Sequence, residues 1–222
     1  MSNTPRKQSA VSRLARDPVS RRRFLALSGG TAGAGVLLAA CGDDDEEAAT
    51  STSSTTTDEE MTSMFGEGDL GIVNYALTLE YLEAGFYDEV AKSDLFKGDD
   101  LALIKSIGAA EQEHVDALTA TAKKLGGPPA KEPKATFPLE DAESVLMLAT
   151  TVENLGAAAY LGAAALIEDP EILAAALSIH SVEGRHAAVL NILTGQEPTP
   201  DGAFAMGADM QTVLDEVQPF LA

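Results

Sequence analysis

Two stretches of this chain repeat one pattern of acidic and histidine residues, and the repeat restricts the fold more than any other feature. Glu80 and Glu153 each begin the string Glu-x-Leu-x-Ala-x-x-Tyr, which ends at Tyr87 and Tyr160. A second string, Glu-x-x-His-x-x-x-Leu, also occurs twice. Its first copy begins 31 residues after Glu80, and its second copy begins 30 residues after Glu153. Its acids and imidazoles are Glu111, His114, Glu183 and His186. Four carboxylates and two imidazoles in matching halves form the donor set of two first-row metal ions held between four helices.

Most of the chain between residues 68 and 195 has the composition and periodicity of α-helices. Ala, Leu, Glu and Ile dominate, and apolar residues recur at three- and four-residue steps. The pattern predicts four long helices, at about residues 69–91, 100–125, 139–167 and 171–193. It also predicts a short amphipathic helix at about residues 208–217. The apolar residues that would dock this helix are Val213, Leu214, Val217 and Phe220.

The connections between these helices predict how they are arranged. Residues 93–99 and Asp169-Pro170 form short turns, which make two antiparallel hairpins. Gly126-Gly127-Pro128-Pro129 ends the second helix, and a polar, proline-rich connection leads to the third. This longer connection can cross from one hairpin to the other. The predicted fold is therefore all-α: a four-helix bundle of two hairpins joined by a crossover, with a short C-terminal helix.

Helix geometry predicts that the repeated residues meet. Residues three apart lie on one helix face, so each histidine of the second string lies beside its glutamate. Residues equidistant from the turn of an antiparallel hairpin are level with each other. The midpoint between Glu80 and Glu111 falls at residues 95–96, and that between Glu153 and Glu183 falls at Glu168, so each midpoint lies at a predicted turn. Both pairs would then lie roughly 20 Å from their turns, near the middle of the bundle.

The surroundings of these acids predict that they are buried and need compensation. Apolar residues precede Glu80 and Glu153, and an unpaired buried carboxylate costs several kcal/mol or takes up a proton. We predict that Glu111 and Glu183 bridge two divalent ions. Glu80 with His114, and Glu153 with His186, would complete the two positions. The alternative is a bundle whose acids face solvent or form salt bridges, but Arg185 is the only arginine after residue 40 and lysines are scarce.

Three further residues belong to the predicted site. Tyr87 and Tyr160 follow their glutamates by seven residues, nearly on the same face, and would be hydrogen-bond donors behind the ligands or redox-active phenols. Ordinary packing with a satisfied hydroxyl is the alternative. Glu83 lies one turn beyond Glu80, breaks the repeat because Gly156 occupies the matching place, and is a candidate for a seventh ligand whose role the sequence leaves open.

The N-terminal residues predict export rather than fold. Arg21 and Arg22 belong to a twin-arginine signature, an apolar segment follows, and residues 38–42, which contain Cys41, resemble a bacterial lipobox. That resemblance implies cleavage before Cys41, lipidation of its sulfur and a location on the outer face of the cell membrane or its periplasmic side. The alternatives are an uncleaved anchor or another cleavage site. The predicted segments are a signal peptide (1–40), an acidic Ser/Thr-rich tether (41–67), the bundle (68–195) and a C-terminal loop with its docking helix (196–222).

The charge of the chain predicts which partners it avoids. The formal net charge is −20, and residues 1–40 contain seven of the 15 basic residues but only one of the 35 acidic ones. The remainder, with 8 basic and 34 acidic residues, carries −26. Such a surface repels nucleic acid and anionic lipid and attracts cations, including metal ions. The alternative is that the acidity only keeps an exported protein soluble.

The string from Leu77 to Tyr87, with the six repeated ligand positions, resembles the ferritin-like superfamily. The similarity is greatest to exported bacterial members related to desiccation-associated proteins and to rubrerythrin-like proteins. It implies a carboxylate-bridged di-iron centre held by the six positions, with manganese using the same ligands. An additional glutamate is known in rubrerythrin-like members, whereas Glu83 lies on the first helix rather than the third. Cys41 is the only cysteine, so the chain has no rubredoxin-like segment, and its predicted anchor is unlike a cage-forming ferritin.

The expected function is therefore that of an exported, lipid-anchored protein whose metal centre reacts with O₂ or H₂O₂ in oxidative stress. One alternative is a non-catalytic metal-binding or desiccation-protection protein of the cell envelope. Another is an envelope adaptor whose acidic surface binds a partner. The sequence does not specify the oxidised substrate, the electron donor or the oligomeric state.

Overall fold

The computed structural model describes residues 62–221, and their fold is all-α. The four long helices are α1 (Gly68–Lys92), α2 (Gly98–Lys124), α3 (Ala142–Ala163) and α4 (Pro170–Leu193). A 3₁₀ turn, Ala164–Leu166, extends α3, and α5 (Met210–Val217) is followed by a second one, Gln218–Phe220. Within residues 62–221 there is no β-strand, only one isolated bridge between Ala135 and Leu221. The predicted fold class is confirmed.

The helices pair as two hairpins. α1 packs along α2 and α3 packs along α4, while α1 also contacts α3. The crossover between α2 and α3 is held to α1 by one buried amide that the sequence pattern did not predict. The Asn74 side chain donates to the carbonyls of Phe65 (2.9 Å) and Pro128 (3.2 Å) and accepts from the Ala130 amide (2.8 Å). The two hydrogen bonds to Pro128 and Ala130 fix the place where the crossover leaves the end of α2, and the third holds the residues that precede α1.

Capping residues explain where the observed helix ends differ from the predicted ones. α3 begins at Ala142, not near residue 139, because Asp141 and Ser144 form a capping box in which the Asp141 carboxylate accepts from the Ser144 amide (2.9 Å). The regular α-helix also ends at Ala163, before the 3₁₀ turn. α5 begins at Met210, two residues later than predicted, because Asp209 caps it by accepting from the Thr212 amide (2.8 Å).

The C-terminal segment covers the face formed by α1 and α3. Val213 and Val217 of α5 are buried in a cluster with residues of both helices. Phe220 packs on Phe137 of the crossover, with ring centroids 5.9 Å apart, and Phe137 packs edge-on against Phe86 of α1 at 5.3 Å. The α5 helix and the crossover thus close one side of the bundle over its middle, where the predicted site lies.

One described helix, Ala142–Leu166, is long and apolar enough to cross a membrane by length and composition, with a mean hydropathy of 1.2. This segment is α3 with its 3₁₀ turn. It packs on α1, α4 and α5 and carries the buried carboxylate of Glu153, so its apolar character is that of a bundle helix. The predicted export signature at Arg21 and Arg22, the lipidation at Cys41 and residues 41–61 of the predicted tether lie outside the described residues. Within the rest of the predicted tether, residues 62–67, the structure is helical at residues 62–65.

Candidate metal centre

All six repeated side chains come together in the middle of the bundle. Each long helix contributes one fully buried glutamate, and the two histidines follow one turn later on α2 and α4. The donors form two groups, and within each group one ligand atom per residue lies within 4.8 Å of the others. The first group is Glu80, Glu111, His114 and Glu183. The second group is Glu111, Glu153, Glu183 and His186. Glu111 and Glu183 belong to both groups, so each has ligand atoms close to the donors of either group.

The imidazoles point their Nδ1 atoms into the carboxylates. His114 Nδ1 lies 2.8 Å from Glu111 Oε2 and 3.2 Å from both Glu80 Oε2 and Glu183 Oε1. His186 Nδ1 lies 2.9 Å from Glu111 Oε1 and 3.3 Å from Glu153 Oε2. The two oxygens of Glu111 thus face different histidines, which is the geometry of a carboxylate placed between two cation positions.

The tyrosines orient the carboxylates that belong to one group only. The Tyr87 hydroxyl, on α1, donates to Glu153 Oε1 at 2.6 Å, and the Tyr160 hydroxyl, on α3, donates to Glu80 Oε1 at 2.5 Å. Each tyrosine therefore holds the glutamate of the opposite helix, not its own. In both cases the hydrogen bond holds Oε1, and the other oxygen, Oε2, faces a histidine. The alternative role as redox-active phenols stays a prediction.

Burial and the two histidines shift the pKa values of the carboxylates in opposite directions. It raises the pKa of Glu183 to about 9 despite the contact with His114, and the pKa of Glu80 to about 7. Burial also raises the pKa of Glu153. For Glu111, burial acts in the same direction, but close contact with the positive charges of both histidines outweighs it and lowers the pKa to about 2. The centre thus contains carboxylates that hold protons next to one that does not.

The surrounding negative charge raises the pKa values of the histidines and the tyrosines. Burial lowers the pKa of His114, but contacts with three carboxylates overcome this effect and raise it to about 12. The same balance raises the pKa of His186 to about 10. Burial and the neighbouring carboxylates raise the pKa of Tyr87 and of Tyr160 well above 10, so both phenols keep their protons. Both imidazoles are therefore cationic at neutral pH unless a metal ion displaces the proton.

Glu83 is a fifth buried acid at the edge of the centre. Its side chain is 3% exposed, and burial followed by the charge of Glu183 raises its pKa well above the usual value. Gly156 on α3 faces it. A Cβ at Gly156 would lie 2.6 Å from Glu83 Oε1 and 3.1 Å from Glu183 Oε2. The missing side chain of Gly156 therefore makes room for both carboxylates, which explains why the repeat breaks at this pair.

Two other polar features lie outside the centre. His180 is half-buried, its Nδ1 lies 3.0 Å from the Ala157 carbonyl, and it belongs to neither ligand group. Asn154 and Asn191 form a reciprocal amide pair between α3 and α4, with Nδ2 to Oδ1 distances of 3.0 and 3.3 Å. This pair was not predicted, although an asparagine within an apolar helix was a visible signal. It joins the two helices beside Glu153.

The donor set fits two first-row metal ions. Several buried atoms of the centre lack an aligned hydrogen bond. They are both oxygens of Glu183, Glu111 Oε1, Glu153 Oε2, Glu83 Oε2 and His186 Nδ1. Glu111 Oε1, Glu153 Oε2 and Glu183 Oε1 still lie 2.9 to 3.3 Å from a histidine Nδ1, whereas Glu183 Oε2 and Glu83 Oε2 have no such contact. Buried polar atoms without partners are costly, and divalent cations would coordinate the carboxylate oxygens. Among the described residues, no lysine or arginine forms an ion pair with these carboxylates.

A helical bundle with four buried glutamates and two histidines in two overlapping donor groups is the arrangement found in carboxylate-bridged metal proteins. The family model of the ferritin-like domain matches residues 68–196, more than half of the chain, and the chain therefore belongs to this family. No significant match is found among curated proteins. The predicted relation to exported and rubrerythrin-like members stays a prediction.

Proposed function

We propose that this protein binds two metal ions, most suitably iron, between its four long helices. Glu111 and Glu183 would bridge the ions. Glu80 with His114 would complete one position, and Glu153 with His186 the other. The observation that carries the proposal is the pair of donor groups that share two glutamates within one buried volume. Membership of the ferritin-like family supports iron, and manganese takes the same ligands.

The proposed activity is the reduction of O₂ or H₂O₂, with Fe²⁺ or a small reductant as the oxidised partner. When bound there, two iron ions supply the electrons for that reduction. The chain provides a fixed ligand geometry, because Tyr87 and Tyr160 hold the outer oxygens of Glu153 and Glu80. It also excludes bulk water, because the four glutamates are fully buried. His114 Nδ1 and His186 Nδ1 release protons as the metal ions bind.

A second candidate function is metal storage or stress protection without turnover. The burial of the centre favours it, because the two small cavities beside the centre measure only about 20 and about 30 Å³. Cavities of this size admit a molecule of two or three atoms and exclude larger substrates. For either function we propose export through the twin-arginine signature and anchoring through Cys41, on the sequence pattern alone. An adaptor role is disfavoured, since it leaves the complete donor set unused.

Metal analysis and oxygen kinetics of the chain that follows the predicted cleavage site test the proposal. We expect about two iron ions per chain after anaerobic loading, and stopped-flow oxidation by O₂ or H₂O₂. The double variant Glu111→Ala plus Glu183→Ala should lose both properties. Glu113→Ala is the matched control, because Glu113 is exposed two residues further along α2. Bound iron without peroxide or oxygen consumption would favour storage, and absence of bound metal would refute both functions.

A further inference from the structure

A small cavity lies between the candidate centre and the C-terminal segment. Its volume is about 20 Å³, and it is lined by residues of α1, α3 and α5 together with the rings of Phe137 and Phe220. The apolar side chains around it include Leu82, Phe86, Phe137, Val213 and Val217. The only charged or polar side chain in its lining is that of Glu83. The cavity is therefore apolar except at one point.

The cavity approaches the candidate centre at Glu83. Glu83 and Gly156 both line the cavity, and a Cβ at Gly156 would lie 3.1 Å from Glu183 Oε2 and 2.6 Å from Glu83 Oε1. Because Gly156 has no side chain, this position does not separate the cavity from Glu183, which belongs to both donor groups. A molecule in the cavity would need to pass only the Glu83 carboxylate to reach the bridging position.

The size and lining of the cavity identify the kind of occupant. A volume of about 20 Å³ exceeds the roughly 10–15 Å³ that one water molecule needs, so a molecule of two heavy atoms is a suitable size. A buried water normally makes two to four hydrogen bonds, and this cavity offers one carboxylate. Hydrogen peroxide requires several partners for the same reason. An apolar diatomic molecule requires none.

We propose that this cavity is a docking site for dioxygen, with Gly156 as its inner opening to the metal centre. The proposal rests on the proposed function, since dioxygen has a use here only if the centre binds a reducing metal. It adds a substrate subsite and assigns Gly156, Val213 and Val217 to it. The C-terminal helix then has a role in substrate access as well as in covering the bundle.

A second cavity provides the matched comparison. It measures about 30 Å³ and lies among the long helices, lined by residues such as Ile72, Leu118 and Ala176. Tyr160 also lines it, but none of its lining side chains is a carboxylate. Because the Tyr160 hydroxyl donates to Glu80, this tyrosine lies between the second cavity and the donor atoms. The second cavity is thus similar in size, and the Tyr160 side chain lies between it and Glu80.

The test fills each cavity separately in the chain that follows the predicted cleavage site. Val213→Ile and, as a second variant, Val217→Ile reduce the first cavity, and Ala176→Val reduces the second. Xenon-pressurised crystals of the zinc-loaded protein give a readout without turnover. We expect xenon beside Gly156 in the unaltered protein and in Ala176→Val, and none there in the two valine variants. The O₂ oxidation rate of the iron-loaded protein should fall about tenfold in the valine variants and stay unchanged in Ala176→Val, with equal metal content.

The outcomes separate this proposal from the proposed function. An ordered water in the cavity that xenon does not displace would overturn the dioxygen site while leaving metal binding intact. Unchanged oxidation rates in both valine variants, with the cavity shown to be filled, would overturn it as well. If the unaltered protein binds no metal or does not react with O₂, the proposed function fails first, and the docking proposal fails with it. Thermal unfolding of each variant shows whether a lower rate reflects loss of fold.

Discussion

The two hairpins of the bundle supply the same ligands but different surroundings. Each hairpin contributes two glutamates and one histidine to the centre. The α1–α2 hairpin adds Glu83, where α3 has Gly156, and His114 contacts three carboxylates whereas His186 contacts two. The duplicated residues therefore define where two cations would lie, and the unduplicated residues make the two positions chemically different.

Removing a shared glutamate should cause the largest loss of bound metal, because it affects both donor groups at once. We expect Glu183→Ala to lose both metal ions, whereas Glu80→Ala should lose one, since Glu80 belongs to one donor group only. Elemental analysis after anaerobic loading measures the difference. Glu113→Ala, with its side chain exposed on α2, is the control that should keep both ions. Equal metal content in Glu183→Ala and Glu80→Ala would mean that the glutamate does not bridge.

Varying the pH tests whether the two halves differ in how strongly protons compete with metal. The pKa values of about 12 for His114, about 10 for His186 and about 9 for Glu183 all lie above 7, so these groups hold protons in the metal-free centre at neutral pH. Metal binding must displace these protons. Metal affinity should therefore rise with pH, by up to about tenfold per unit for each proton released, and fall as the pH is lowered.

The same titration distinguishes the two positions. Because His114 holds its proton more strongly than His186, the position that contains His186 and Glu153 should load at the lower pH. Cobalt titrations at several pH values, followed by visible absorption, measure the two steps, and His114→Ala and His186→Ala assign them. A single step at every pH, or an affinity that does not depend on pH, would contradict the predicted difference.

Removing the tyrosine hydroxyls tests the part of the centre that is symmetrical. Tyr87→Phe removes the 2.6 Å hydrogen bond from α1 to Glu153 on α3, and Tyr160→Phe removes the 2.5 Å hydrogen bond from α3 to Glu80 on α1. We expect each variant to weaken metal binding by about 10- to 100-fold, and to a similar extent, because the partners of ligands commonly contribute this much. Competition with a chelator of known affinity measures both losses. Tyr81→Phe is the control, since Tyr81 lies on α1 and takes no part in either donor group.

The internal repeat explains why much of the fold and centre was predictable. The turns were predicted from residues 93–99 and Asp169-Pro170, and the midpoints between the paired glutamates fall at these turns, as expected of residues that are level in a hairpin. The helix ends were less predictable, since α3 starts at the capping box of Asp141 rather than at the start of the apolar pattern. Local hydrogen bonds, not periodicity, determined those ends.

The sequence pattern did not predict features that depend on the distance between helices. The sequence placed each tyrosine near the acid of its own helix, whereas Tyr87 bonds to Glu153 and Tyr160 to Glu80. The buried carboxylates were also expected to require metal cations as compensation. In the structure, His114 and His186 supply positive charge to the same carboxylates, so protons and metal ions compete for one set of atoms.

Substituting Gly156 tests the place where the two hairpins differ. In Gly156→Ala the new Cβ would lie 2.6 Å from Glu83 Oε1, so the carboxylate must move, and we expect a loss of about 1–3 kcal/mol in the free energy of unfolding. Gly184→Ala on α4 is the matched control, because a Cβ there meets nothing within 4 Å. It should stabilise the protein by about 1 kcal/mol, the difference in helix propensity between alanine and glycine.

A double-mutant cycle assigns the loss to Glu83 itself. Glu83→Ala removes the oxygen that the new Cβ would meet, so in that background Gly156→Ala should cost much less, or even stabilise as Gly184→Ala does. Denaturant unfolding of the four proteins measures the coupling. Additive effects would show that Gly156 serves only the nearby Glu183, whose Oε2 would lie 3.1 Å from the Cβ of an alanine at this position. Strong coupling would mean that the glycine on α3 and the extra acid on α1 form one functional unit, and that the asymmetry between the hairpins rests on this pair.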